Sequence, residues 1–368
     1  MPQSTVHVRG VVRLAVALVL AGGIVVAGTP STIYSAAVRT PAATSPSLNA
    51  FHASTFVVDL HADTVQDLES GERTLGARSG RGHVDLPRLR EGGVDVQVFA
   101  IFVPPTAGSS ARSRSYRLIR TLRRQIMSSH GGAHGGMVLA TTVSAIQRAA
   151  REGKIASVLS IENGDPLAGD LAALDGFYAA GVRMMSLTWN ASNALGDGAS
   201  GDLHGGLTEF GRRVLRRMNT LGIVVDVSHL SEASFWDALK VTRGPVIASH
   251  SNASSVHPHA RNLTDDQLRA IARRGGVVGV TFVPRFLGGA TLAHVLKHID
   301  HMVRVMGADH VAIGSDFDGF RRPPDGLEDA SHLPNLTAGL VWRGYSEDAI
   351  RKIMGGNAMR VFRTIWGR

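Results

Sequence analysis

The chain has 368 residues, 44% of them apolar, and a formal net charge of +9 from 39 Lys and Arg against 30 Asp and Glu. That length can fill two average domains, yet α/β barrels routinely spend it on one. Cysteine is absent, which excludes disulfides, zinc-thiolate sites and cysteine nucleophiles and leaves His, Asp and Glu as the metal-binding side chains.

At the N-terminus, Arg9 and Arg13 precede an apolar run over residues 14–28, and the small residues Ser35, Ala36 and Ala37 follow. Basic, apolar, then small is the layout of a secretory signal, expected here over residues 1–37. The run is shorter than the roughly 20 residues of a membrane span, so an uncleaved anchor is the alternative. Export from the cytoplasm is expected, with membrane attachment only through this segment. Residues 38–54 open on an Ala/Pro/Thr/Ser-rich stretch and read as a linker.

From residue 55 onward, short Val- and Ile-rich runs alternate with helical patterns. The strand candidates are residues 56–60, 94–102, 155–161, 182–187, 223–227, 246–249, 277–282 and 311–314. They lack strict polar alternation, as strands buried on both faces do. Helical periodicity occupies 115–128, 206–221, 231–242, 264–274 and 292–306. Thr264 with Gln267 predicts a capping box, and Ser346 before Glu347 and Asp348 predicts a second helix start. Eight βα units predict one α/β domain over residues 55–368, a closed (β/α)8 barrel of TIM type. Arg114, Arg117, Arg120 and Arg123 follow one helix face and read as a solvated outer surface. The rest of the basic excess is spread along the chain as solubilising charge, so no nucleic-acid partner is expected.

Ionisable residues close several of these runs. They are His61 and Asp63 in "FVVDLHAD", Glu162 in "IASVLSIE", His229 in "GIVVDVSH", His250 in "PVIASH" and Asp316 in "VAIGSDFDG". In a β/α barrel the strand C-termini meet at one rim, where the active site lies. His61 and Asp63 share one side of an extended chain and can reach one metal. His229 and His250 end adjacent strands and can hold a second. Glu162 has two oxygens and can span both, since a carboxylate ending an apolar strand is costly unless paired or metal-bound. Nitrogen and oxygen donors without sulfur suit two zinc ions, with manganese or cobalt as substitutes. Such a pair can share an activated hydroxide. Asp316 remains as the acid–base residue that relays a proton to a leaving nitrogen.

These residues, with "DLHADT", "DLPRLREGGVDVQVFAIFVP", "SIENG", "GGLTEFG", "PVIASHSNA", "RNLTDDQL", "GSDFDG" and "GGNAMRVF", resemble the membrane (renal) dipeptidase family of amidohydrolase-like barrels. The resemblance runs from about residue 55 to 362. It implies hydrolysis of dipeptides, including those with a D-residue at the C-terminal position, and often a homodimer. It assigns His61, Asp63, His229, His250 and bridging Glu162 to zinc, and Asp316 to proton transfer. It also assigns Arg261, in "HARNLTDD", to the substrate carboxylate, a pairing that guanidinium geometry favours. Two positions depart from the animal enzymes of the family. Trp189, in "SLTWN", replaces a histidine that helps hold the substrate carbonyl, a form that bacterial relatives share. Phe286 replaces a tyrosine near the substrate carboxylate. An indole donates one hydrogen bond and ligates nothing, so Asn190 or Asn193 is expected to supply a polar contact to substrate beside Trp189. The alternative to a dipeptide is an N-acyl amino acid, a lactam or a lactone.

Overall fold

A computed structural model describes residues 45–129 and 136–367. Nine strands form one sheet: β1 (Val57–Ala62), β2 (Val94–Phe102), β3 (Met137–Leu139), β4 (Ile155–Glu162), β5 (Val182–Ser186), β6 (Val224–Asp226), β7 (Ile247–Ser251), β8 (Val277–Val280) and β9 (Val311–Ile313). Eight of them close a ring in the order β1-β2-β4-β5-β6-β7-β8-β9, with every neighbouring pair parallel. Closure runs through β2 and β4, from Val96 opposite Ala156 to Phe102 opposite Glu162. The fold is the expected (β/α)8 barrel.

The ninth strand, β3, lies outside the ring. It pairs with Ile155, Ala156 and Ser157 at the start of β4, while β5 pairs further along from Leu159. Three residues are too few to carry a sequence period, so this strand was not foreseen. Helices cover the barrel. The helix Glu209–Leu221 buries Val214, Leu215 and Met218, and the Thr208 side chain caps it by accepting from Gly211 N. The expected capping box is present at Thr264 and Gln267, and the Ser346 hydroxyl accepts from Ala349 N. Arg114 and Arg117, on the helix Ala111–Ser128, reach Glu69, and Arg123 donates to the carbonyl of Ala180.

One boundary moves. Residues 38–54 read as a linker, but Pro46–Ala53 form a helix capped by Ser45. Its His52 is buried, with Nδ1 at 2.7 Å from Thr337 Oγ1 and Nε2 donating to Gly92 O at 3.0 Å. The Ser-Pro start is itself a cap followed by N1 proline, hidden within a linker-like composition. The domain therefore extends N-terminally to at least Ser45. The signal segment and residues 38–44 lie outside the described residues. Among the described residues, no helix is long and apolar enough to cross a membrane.

His298, on the helix Leu292–Met306, is fully buried and links two loops. Its Nδ1 accepts from Ala253 N at 3.1 Å, and its Nε2 donates to Leu287 O at 3.2 Å. Burial pushes its pKa down to about 4. The unfolded chain binds this proton first, so stability is full above the ordinary imidazole value and falls as pH drops toward 4. The expected loss is roughly 3 kcal/mol. Urea midpoints measured between pH 7 and pH 4.5 should show this slope and should flatten in His298→Gln. An equal slope in the variant would assign the effect elsewhere.

Candidate metal centre

The site is built by strand ends. His61 lies within β1 with Asp63 just beyond it; Glu162 ends β4, His229 follows β6, His250 lies within β7 and Asp316 follows β9. All the expected residues share one rim. The chain turns sharply there. Asn163, His229, Asp316 and Asp318 have φ of 79°, 70°, 64° and 68°. Left-handed backbone is costly for a residue with a Cβ and persists where its surroundings enforce it.

Two aspartates supply part of that enforcement. Asp59, in β1, accepts from Ser315 N at 2.8 Å, from Ser315 Oγ at 2.6 Å and from His61 N at 3.3 Å. Asp226, in β6, accepts from Ser249 N at 3.0 Å, from Ser228 N at 2.9 Å and from Ser249 Oγ. Each carboxylate ties its own strand to the next one in the ring, two or three residues ahead of a rim histidine. Burial pushes the Asp59 pKa up against these hydrogen bonds. Neither brace was read from the sequence; the signal was a carboxylate in mid-strand, at "VVDLH" and "VVDVSH".

Glu162 sits at the centre and faces two ways. Its Oε2 is 3.4 Å from His61 Nε2, which is 3.7 Å from Asp63 Oδ2. Its Oε1 is 2.8 Å from His229 Nε2 and 3.8 Å from His250 Nε2. Candidate ligand atoms of His61, Asp63 and Glu162 lie within 4.8 Å of one another, as do those of Glu162, His229 and His250. A third such group joins His61 and His250 with Asp226, but Asp226 already spends its oxygens as a brace.

The ring nitrogens fit a metal. His229 Nδ1 lies 2.9 Å from Asn190 Oδ1, an atom that only accepts, so this nitrogen carries the proton. The Ser249 hydroxyl donates to Asp226 and accepts from His250 Nδ1 at 2.7 Å. Both Nε2 atoms are left with lone pairs, 2.8 Å apart. Neither ring nitrogen of buried His61 has a hydrogen-bond partner. Such a cluster of lone pairs is stabilised by a cation. Asn190 therefore orients His229; as a lining residue it also borders the cavity. Asn193 instead binds Asn163 Oδ1 and Leu187 O, and so braces the loop.

The electrostatics agree at His229 and His250, while the carboxylates beside His61 favour a proton there until a cation replaces it. Burial drives the His229 pKa down to about 3, with Arg261 adding to it, and burial with the neighbouring His61 and His229 holds that of His250 well below the ordinary imidazole value. Burial opposes a proton on His61, but Glu162 and Asp63 outweigh it and hold its pKa well above the usual range. Burial also raises Glu162, yet His61 and His229 prevail and keep it ionised. For Asp316 burial wins, with Asp63 and Glu162 adding to it, and its pKa rises well above the carboxylate range. Asp63 and Asp316 flank Gly319, where an added Cβ would meet a carboxylate oxygen of each at 2.4 Å.

A cavity of about 690 Å³ opens over this cluster. Arg261 is buried in its wall, donates to His250 O at 3.3 Å and has no partner for Nε. Burial lowers its pKa to about 10, which leaves it charged. Its guanidinium lies 5.5 Å from the centre of the Phe286 ring. Trp189 packs 5.5 Å from Phe102 and 6.2 Å from His229, centre to centre.

Comparisons with known proteins agree with this geometry. The family model described as membrane dipeptidase (peptidase family M19) matches residues 47–366. The solved dipeptidase AC, a metallo peptidase, is 31% identical with a TM-score of 0.79, covering 86% of this chain and 100% of that one. A metallo peptidase from Rhodobacter sphaeroides, solved with a phosphinate mimic of the dipeptide L-Ala-D-Ala, is 30% identical with a TM-score of 0.79, covering 85% and 100%. A Klebsiella pneumoniae chain described as an uncharacterized protein in the pqqA 5' region is 39% identical over 245 residues, 63% of this chain and 90% of that one. With its barrel, its rim of histidines and carboxylates and a family match spanning nearly all described residues, the chain belongs to the membrane dipeptidase family and is a metallo-dipeptidase.

Proposed function

We propose that the protein hydrolyses dipeptides, including those with a D-residue at the C-terminal position, at a centre of two divalent ions, zinc with manganese or cobalt as substitutes. The observation that carries this reading is Glu162, whose two oxygens face two separate donor sets. His61, Asp63 and Glu162 hold one ion; His229, His250 and Glu162 hold the other. The ions supply Lewis acidity and a water made nucleophilic at neutral pH. Asp316 takes the proton of the attacking water and returns it to the leaving nitrogen, a task that suits a carboxyl whose proton affinity burial has raised. Arg261 pairs with the substrate carboxylate through its unpartnered side. The Rhodobacter relative, which binds an L-Ala-D-Ala mimic, supports the D-residue reading. The apolar wall of Trp189 and Phe102 favours a second reading, an N-acyl amino acid, lactam or lactone, whose acyl end carries no charge. Export through residues 1–37, and pairing as a homodimer, complete the proposal.

A panel of L,L and L,D dipeptides beside N-acyl and lactone substrates tests it on the zinc-loaded chain. Dipeptides should be cleaved, and chelation should abolish cleavage. Full activity after chelation, or turnover of the non-peptide substrates alone, would overturn the reading. Asn190→Ala should weaken metal binding by about 10- to 100-fold, since a lost second partner frees the histidine ring. Competition against a chelator reads this directly, and unaltered affinity would show that His229 needs no orienting partner.

A further inference from the structure

The cavity mouth is divided in charge. Arg261 follows β7, Arg285 follows β8, and Arg321 and Arg322 follow β9. These strands are consecutive in the ring, so four guanidinium groups occupy one arc. The opposite arc presents Phe102 from β2 and Trp189 beyond β5. Arg285, Arg321 and Arg322 are exposed, and among the described residues none makes an ion pair. Exposed arginines elsewhere are paired in places, as Arg78 is with Glu91 and Arg112 with Asp170, and unpaired in others, as at Arg120 and Arg243; what sets the mouth apart is that three unpaired ones line one cavity.

The carboxylates of the cavity cannot neutralise this arc. Asp63, Glu162 and Asp316 belong to the buried cluster. The Asp318 side chain is fully buried and already accepts from Arg73 NH2 at 2.7 Å, Thr64 Oγ1 at 2.6 Å and His83 N at 2.5 Å. The three mouth arginines therefore lack an anion that the protein itself supplies. Arg285 lies 4.8 Å from the centre of Phe286, the ring that also meets Arg261. The subsite for a second negative charge thus adjoins the one for the substrate's main-chain carboxylate.

We propose that Arg285, Arg321 and Arg322 select dipeptides whose C-terminal residue carries an acidic side chain. The inference rests on the dipeptidase reading and on Arg261 as the carboxylate anchor. A cleft lined by one sign of charge concentrates ligands of the other sign and speeds their capture. Exposed pairs are screened by salt, so the preference weakens as ionic strength rises.

Ala-Glu and Ala-Gln are nearly isosteric and differ by this charge. On the zinc-loaded chain at low salt, kcat/KM for Ala-Glu should exceed that for Ala-Gln by about tenfold, most of it in KM. The reversed pair, Glu-Ala and Gln-Ala, should show no such preference. In Arg321→Gln/Arg322→Gln, and in Arg285→Gln, the Ala-Glu to Ala-Gln ratio should fall toward one. A ratio near one in the parent, a ratio unaltered in the variants, or an equal preference in the reversed pair would each overturn the proposal. Calorimetric binding of Ala-Glu and Ala-Gln to the zinc-loaded Asp316→Asn variant reads the same preference without turnover. If neither peptide is cleaved by the parent, the dipeptidase reading fails on its own, and the binding ratio still decides this inference.

Discussion

Glu162→Ala is expected to lose both metal ions, while Asp316→Asn keeps them. Glu162 is the residue with an oxygen toward each donor set, one near His61 and the other near His229 and His250. Removing it leaves each proposed ion with two protein ligands. It also leaves buried His61 without the carboxylate that most favours its proton, which is costly for a buried group. Metal analysis after dialysis should find about two equivalents in the parent and little in the variant. Dipeptide hydrolysis should fall by about 10⁴-fold or more. Circular dichroism separates metal loss from unfolding. Equal metal retention in the two variants would contradict the bridging role.

Asp316→Asn should lower kcat by about 10³-fold with both ions retained and KM little changed. The amide has the carboxyl's shape but cannot relay a proton. Asparagine is also the suitable replacement on backbone grounds. Asp316 has φ of 64°, a region that Asn and Asp tolerate and alanine resists. The variant thus tests chemistry with little added strain. A fall in metal content matching the fall in rate would make Asp316 a ligand instead.

Much of the fold was legible because buried parallel strands announce themselves. Runs such as "IASVLSIE" are apolar on both faces and end on a charged residue that such a run cannot otherwise accommodate. The rim residues His61, Glu162, His229, His250 and Asp316 follow from that logic, and the structure gathers them. Their mutual distances and tautomers were not legible, since they depend on partners far along the chain. Asn190 borders the cavity, but the contact of its Oδ1 with the ring of His229, 39 residues away, was not legible. Asp59 reaches Ser315 across 256 residues. The helix Pro46–Ala53 was missed for a different reason: its cap and proline resemble the linker before it. Three-residue β3 falls below the length at which a period can be counted.

The braces at Asp59 and Asp226 sit inside the strands, whereas Arg285 rides on the short helix Pro284–Leu287 after β8 and Arg321 and Arg322 on the loop after β9. After β8, what reads the incoming molecule is separate from what anchors the reactive centre; after β9, Ser315 and Asp316 come first and Arg321 and Arg322 only at the tip. The segment after β8 can be exchanged or lengthened while the staves of the barrel keep their hold, so redesign of selectivity begins there; in the loop after β9 it is confined to the tip beyond Ser315 and Asp316.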